Sequence, residues 1–212
     1  GPALAHFDLA CARYGQDVAL LLAAAWLEER TAVAPLLATE LLAKRTLAAS
    51  AGEKTSYLER ARGRLERAGR ADPVNAEVTL RWAHVQLALG DARDARRRLD
   101  DLLRRLPPLD LATAYLAHVF LAQALLALDD ASGAAASFAT AIALLPEVQT
   151  AQLGLLSAQA AGGAVPRPTA ESLDWLRDET DPNVVDPWID YLVGRLTQGP
   201  PLRQRLREEV QR

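Results

Sequence analysis

The chain has 212 residues, half of them hydrophobic, with a formal net charge of −3 and a pI near 5.7. That length and apolar content support a substantial core and exclude a disordered chain, while the near-balanced charge gives no global pull toward nucleic acid or anionic lipid. Cys11 is the single cysteine, which excludes an internal disulfide and a cysteine-based zinc site.

Gly1-Pro2, in a chain with no methionine at all, reads as a protease scar, so loss of a targeting segment is compatible with the sequence and the compartment stays open. Arginine outnumbers lysine 22 to 2 and alanine is abundant, which points to a GC-rich, bacterial type of genome rather than to a binding strategy. Residues 3 to 14 and 16 to 29 carry helical periodicity without strand alternation, and residues 1 to 30 are expected as N-terminal capping helices. The longest apolar run, VALLLAAAWL at 18–27, is far short of the ~20 residues that cross a bilayer, so no direct membrane span is expected. Cys11 lies in FDLACARYG, where a buried structural thiol fits better than a nucleophile. Pro35 suits the first turn of a helix reaching about Ser50, because its missing N–H needs no partner there.

The centre of the chain repeats itself. In SYLERARGRLERAGRADP, residues Ala61, Leu65 and Ala68 lie 12, 8 and 5 positions before Pro73. Ala95, Leu99 and Leu102 stand at the same offsets before Pro107, and Ala134, Phe138 and Ala141 before Pro146. Each trio falls on one stripe of a helix. Alanine on such a stripe lets a neighbouring backbone come close, and proline ends the helix. Pro73 and Pro107 are 34 residues apart and Pro107 and Pro146 are 39 apart, so the last unit carries about five extra residues, most simply in a longer first helix.

These marks resemble the tetratricopeptide repeat (TPR), a 34-residue helix–turn–helix unit with an A-x₃-F stretch and a later proline. Gly90-Asp91 fits the family's Gly-Asp turn; Ser56-Tyr57 and Asp129-Asp130 fit it less well. The first-helix motif is eroded, to Thr79, Trp82, Ala83 and Gln86 in one unit and His118, Leu121, Ala122 and Leu125 in the next. The resemblance implies an all-α fold, an α-solenoid of antiparallel helix pairs forming a TPR-like superhelix with capping helices at both ends. Three pairs are expected, at 31–73, 76–107 and 109–146. Each helix pair has an apolar stripe it cannot cover alone, so neighbours must stack.

Residues 147 to 212 read as a C-terminal helical cap. A helix is expected over 148–161, ended by Gly162-Gly163, with AVPRP at 164–168 as a loop and Thr169 capping a helix to about Asp178. Asp186-Pro187 places an N-cap before a proline at the first helical position and starts WIDYLVGRL; a short polar helix, LRQRLREEVQR, closes the chain.

Chemistry-bearing motifs are missing. His6, His84 and His118 have no i, i+4 pairing, and there is no calcium loop, phosphate-binding glycine loop or GxSxG elbow, so no catalytic residue, metal or cofactor is expected. Asp181 and Asp186, each before proline in DETDPNVVDPW, fit turns and helix starts better than a calcium site. The arginine-rich stretch 93–105 is the best case for nucleic acid. On a helix, however, Asp94–Arg98, Arg96–Asp100, Arg97–Asp101, Asp100–Arg104 and Asp101–Arg105 fall at i, i+4 and neutralise it, at about 0.2–0.5 kcal/mol per pair. No aromatic interleaves to stack bases, so a solvated face without nucleic acid is expected.

In peptide-binding TPR proteins the first helices line a concave groove. By that resemblance the ligand face consists of Glu77, Leu80, Arg81, His84 and Leu87 in one unit, and of Leu116, Val119, Phe120, Gln123 and Ala127 in the next. Its mixture of polar anchors and apolar surface suits another protein, as a peptide or partner helix. The full Lys/Asn set of the family's carboxylate clamp is absent, so an EEVD-like C-terminus is not expected to bind. The competing reading is that Leu116 and Phe120 simply pack on an adjoining helix. Trp26, Trp82, Trp175 and Trp188 read as core, with partial exposure open to Trp188 just after a helix start. The function implied is a non-catalytic scaffold or adaptor, one component of a larger assembly. A helical enzyme or enzyme subunit, with a pocket between repeats and C-terminal cap, and a nucleic-acid binder through 93–105 are the alternatives.

Overall fold

In the computed structural model of the protein, the described residues are 2–33, 51–104, 109–164 and 186–192, and every regular element among them is an α-helix. In chain order these are α1 (Pro2–Arg13), α2 (Val18–Val33), α3 (Ala51–Ala71), α4 (Ala76–Ala88), α5 (Ala92–Leu103), α6 (Leu111–Ala127), α7 (Ala131–Leu144), α8 (Gln149–Ala161) and α9 (Pro187–Leu192). The helices expected over 35–50, 169–178 and 202–212, Asp181 and Trp175 lie outside the described residues. The described residues fall into two compact units, 2–90 and 91–192.

In the first unit α2 lies along α3, α1 covers α2, and α3 packs on α4. Leu21, Leu22, Ala24 and Ala25 of α2 meet Leu58, Ala61, Leu65 and Ala68 of α3, with Val78 and Val85 of α4 closing the core. In the second unit α5 packs on α6, α6 on α7 and α7 on α8, while α9 sits on α6. All three repeat trios are buried: Ala61, Leu65, Ala68; Ala95, Leu99, Leu102; and Ala134, Phe138, Ala141. Each buried leucine of these stripes contributes roughly 1.5–3 kcal/mol relative to exposure. The alanines contribute little area themselves but set how near the next helix can lie.

Helix starts follow one rule. Asn75, Asp91, Asp110 and Asp130 each accept the backbone N–H three residues on, from Val78, Asp94, Thr113 and Gly133, at 2.8–3.1 Å. These side chains satisfy an N–H that the first helical turn leaves unpaired. α8 begins after Val148, which has no such oxygen. There the Tyr115 hydroxyl of α6 accepts the Ala151 N–H at 3.2 Å, so one helix caps another. Burial, reinforced by the charge of Asp186, pushes the Tyr115 hydroxyl well above the ordinary tyrosine pKa. It is therefore a neutral cap.

Two local expectations change. Ser56 and Tyr57 lie inside the continuous α3, so no turn occurs there: EKTSYLERAR holds helix formers without glycine or proline. α2 runs through Val33, past the boundary expected at residue 30. The extra residues of the last unit do fall in its first helix, with 17 residues in α6 against 13 in α4.

The two inter-helix turns at equivalent offsets, 17 positions before Pro107 and Pro146, hold Gly90 and Asp129. Both are left-handed, with φ of 89° and 61°. Only glycine adopts that region without a Cβ clash. Asp129→Gly is therefore expected to raise the unfolding free energy by up to about 1 kcal/mol, net of the extra unfolded-state entropy. Urea melts check this, and a loss of stability would mean that the aspartate side chain compensates for its own strain. Close packing makes the opposite case at Gly154 of α8, where an added Cβ would overlap the Phe138 ring. Gly154→Ala is expected to cost about 1–3 kcal/mol, with part recovered when Phe138→Leu is added.

Candidate functional site

The four expected site residues on α4 share one face and are all buried: Glu77, Leu80, Arg81 and His84 are 8, 0, 2 and 8% exposed. Arg81 Nε donates to Glu77 Oε1 at 3.0 Å, one helical turn away. The rest of the cluster comes from α2. His84 Nδ1–H donates to Glu29 Oε1, and Arg81 Nη1 stands 3.8 Å from Glu29 Oε2. The polar atoms of this face are therefore turned toward α2. Leu87, at the end of the same face, is half-buried.

Sequence reasoning did not find Glu28 and Glu29, two consecutive carboxylates at the end of an apolar helix. Successive residues on a helix point about 100° apart, so the pair reaches two different neighbours. Glu29 meets α4, whereas Glu28, 1% exposed, turns to α3. There Arg64 Nε and Nη2 donate to its two carboxylate oxygens at 2.8 and 3.0 Å, and Arg60 Nε donates to Oε1 at 3.1 Å. Arg64 also pairs with Asp8 of α1, so one guanidinium ties three helices together. Burial works against the charge of Arg64, but its hydrogen bonds to Glu28 and Asp8 more than offset that penalty. The available signal was the charge pair itself, placed where a core-facing helix should show leucine or alanine.

Cys11 is buried beside these arginines, and burial pushes its thiol up despite the opposing pull of Arg64 and Arg67. A protonated, enclosed thiol is a poor nucleophile. This fits its expected structural role.

On α6, Leu116 and Phe120 are fully buried and Gln123 is half-buried; Val119 is buried and Ala127 exposed. Phe120 is covered by α9. Its ring centroid lies 5.6 Å from Trp188 and 5.2 Å from Tyr191, both edge-on, and Trp188 and Tyr191 stack at 5.6 Å. Asp186 starts α9 as expected, its Oδ1 accepting the Trp188 N–H at 2.8 Å. Its Oδ2 accepts from the Thr150 hydroxyl of α8. Trp188, like Trp26 and Trp82, is half-buried rather than fully enclosed. His118 stands on the same helix as Phe120; burial lowers its pKa, which favours the neutral imidazole.

On α5 and at its C-cap, four arginines meet aspartates of the same helix. Arg97 and Arg98 both pair with Asp94, Arg96 with Asp100 at 3.6 Å, and Arg104 with Asp101 at 2.8 Å. Arg97 and Arg104 thus choose partners three rather than four residues away, while Arg105 lies outside the described residues. Among the described residues no three His, Cys, Asp or Glu side chains converge as a metal site, and no helix is long and apolar enough to cross a membrane.

No protein-family model and no curated protein sequence matches the chain at a significant level. Among solved structures it is similar to the crystal structure of a thermophilic TPR protein from Thermus thermophilus. The TM-score is 0.56 at 20% sequence identity, covering 74% of this chain and 72% of that one. The likeness is one of fold: this is a TPR-like helical repeat protein with an all-α solenoid architecture.

Removing Glu28 would leave Arg64 buried without its main counter-charge. Glu28→Ala is expected to cost about 3–5 kcal/mol, and pairing it with Arg64→Leu is expected to recover much of that. Chemical denaturation of the two variants measures both. Equal losses in the single and double variant would show that packing rather than charge pairing holds α2 on α3.

Proposed function

We propose that the protein is a non-catalytic scaffold that binds a peptide or partner helix of another protein through the faces of its first helices. The residues assigned are Glu77, Leu80, Arg81 and His84 on α4, and Leu116, Phe120 and Gln123 on α6. The observation that carries this reading is the seat on α6. That face already holds a short helix through aromatic contacts to Phe120, so its shape and chemistry suit a helical ligand. The α4 face offers a second kind of recognition: its arginine and histidine engage a carboxylate, here supplied by Glu29.

The pairing of Arg96, Arg97, Arg98 and Arg104 with nearby aspartates weighs against the nucleic-acid alternative, since it offsets much of the stretch's charge. The enzyme alternative gains no support from the enclosed Glu29–His84 pair, whose polar atoms face one another and a buried arginine rather than solvent. Membership of a larger multi-protein assembly follows from the scaffold role.

Photocrosslinking tests the proposal. Benzoylphenylalanine at Gln123, on the half-buried edge of the α6 face, is expected to crosslink a protein from source-cell lysate. The same group at the exposed Thr140 of α7 is expected to capture none. Crosslinks from Thr140 or Arg97 with none from Gln123 would move the interface to the outer helices and overturn the assignment.

A further inference from the structure

His118 of α6 is a polar side chain with no part in the proposed binding face. Its Nδ1 is enclosed and has no hydrogen-bond partner among the described residues. Nε2 is not enclosed in this way, and the side chain as a whole is half-buried. The two ring nitrogens therefore meet different surroundings. A neutral imidazole carries one hydrogen, and an enclosed N–H without an acceptor is a rarer state than an enclosed lone pair. The hydrogen belongs on Nε2, where water can accept it, and Nδ1 keeps its lone pair. Uptake of a proton then creates an N–H, and with it a positive charge, where no acceptor stands.

The helices around α6 supply no counter-charge. α5, α7, α8 and α9 all pack on it. α7 and α8 contain no ionisable residue, and α6 itself holds only the neutral Tyr115 besides His118. α5 turns Ala92, Ala95, Leu99 and Leu102 inward, and its half-buried charges, Asp94, Arg98 and Asp100, pair along their own helix. The α9 segment brings Asp186, Asp190 and Tyr191, with Asp186 engaged by the Thr150 hydroxyl and the Trp188 N–H. Burial alone acts on the His118 pKa, and no charge contributes.

We infer that His118 is a proton-operated release within the second unit: protonation at Nδ1 loosens α6, the helix that carries Leu116, Phe120 and Gln123, so the unit gives way as pH falls below neutral. The neutral ring fits the fold, whereas the unfolded chain binds a proton with the ordinary histidine pKa of about 6.5. Burial holds the folded value lower. Below the unfolded value the unfolded chain therefore carries more protons, and stability falls as pH falls. The loss levels off only below the folded value. The inference concerns the fold of the second unit and stands apart from the partner-binding reading.

Hydrogen exchange followed by NMR on the full chain tests this beside His118→Leu, which removes the titrating ring. The readout is the protection of the Val119 and Ala122 amides, which reports opening of α6 itself, corrected for the intrinsic pH dependence of exchange. Between pH 8 and pH 5.5 the native chain is expected to lose about three- to tenfold more protection than the variant. His6 and His84 titrate in both chains, so the difference belongs to His118. Imidazole ¹⁵N spectra of the native chain give a second readout that needs no variant. They are expected to show the hydrogen on Nε2 at pH 8 and a titration midpoint below the ordinary histidine value. A hydrogen on Nδ1, or a midpoint at or above that value, overturns the inference. Equal loss of protection in the native chain and His118→Leu overturns it too. If His118→Leu does not fold at pH 8, His118→Gln, which keeps a polar end but cannot titrate, takes its place with the same expectation.

Discussion

Close approach of helices at small side chains is the constraint on which the rest of this structure depends. Ala61 and Ala68, Ala95, and Ala134 and Ala141 are fully buried, each on a helix whose apolar stripe no single partner could cover. A helix with such a stripe must be stacked on both sides, and that requirement turns a run of similar hairpins into a solenoid. Where the neighbour is also small, as at Gly154, one large ring from Phe138 fills the gap. The tight interhelical spacing then dictates what polar groups can be enclosed, because any charge trapped between such helices must find its partner there.

Glu28 and Glu29 show how that requirement is met. Placed in succession at the end of α2, they serve two helices at once, one by way of Arg60 and Arg64 and the other by way of Arg81 and His84. A buried pair of this kind adds little net stability compared with apolar packing, but it punishes any arrangement that separates the partners. In this protein it fixes the position of α2 against α3 and α4. The consequence for function is direct. The arginine and histidine that a binding face would offer to a ligand are already engaged by a carboxylate of the same chain.

A parallel situation holds within the second unit, by different chemistry. Phe120 is engaged by the rings of α9, and Asp186 joins the start of that helix to Thr150. Tyr115, two turns from Gln123 on the same helix, gives its hydroxyl to the start of α8 instead of to a ligand. In both units, side chains on the first-helix face complete the chain's own capping elements.

The repeat was legible in the sequence because local chemistry determines it. The alanine and leucine stripes, the prolines that end helices and the Asp186-Pro187 start all act within a few residues. The candidate face was legible only in part: Glu77, Leu80, Arg81, His84, Leu116, Phe120 and Gln123 could be placed on two helices, but not what lies over them. The cover comes from residues 52–71 positions away, Glu29 on Arg81 and His84 and Trp188 and Tyr191 on Phe120, and no local pattern links such distant residues. Likewise Ser56-Tyr57 looked like a turn by analogy with its neighbours, whereas continuous packing against α2 accompanies an unbroken α3. What the sequence by itself determined is the helical repeat, since it follows from period, capping and helix termination. What only the tertiary structure decided is which charges and rings meet across helices, because burial makes those partners obligatory without making them near in the chain.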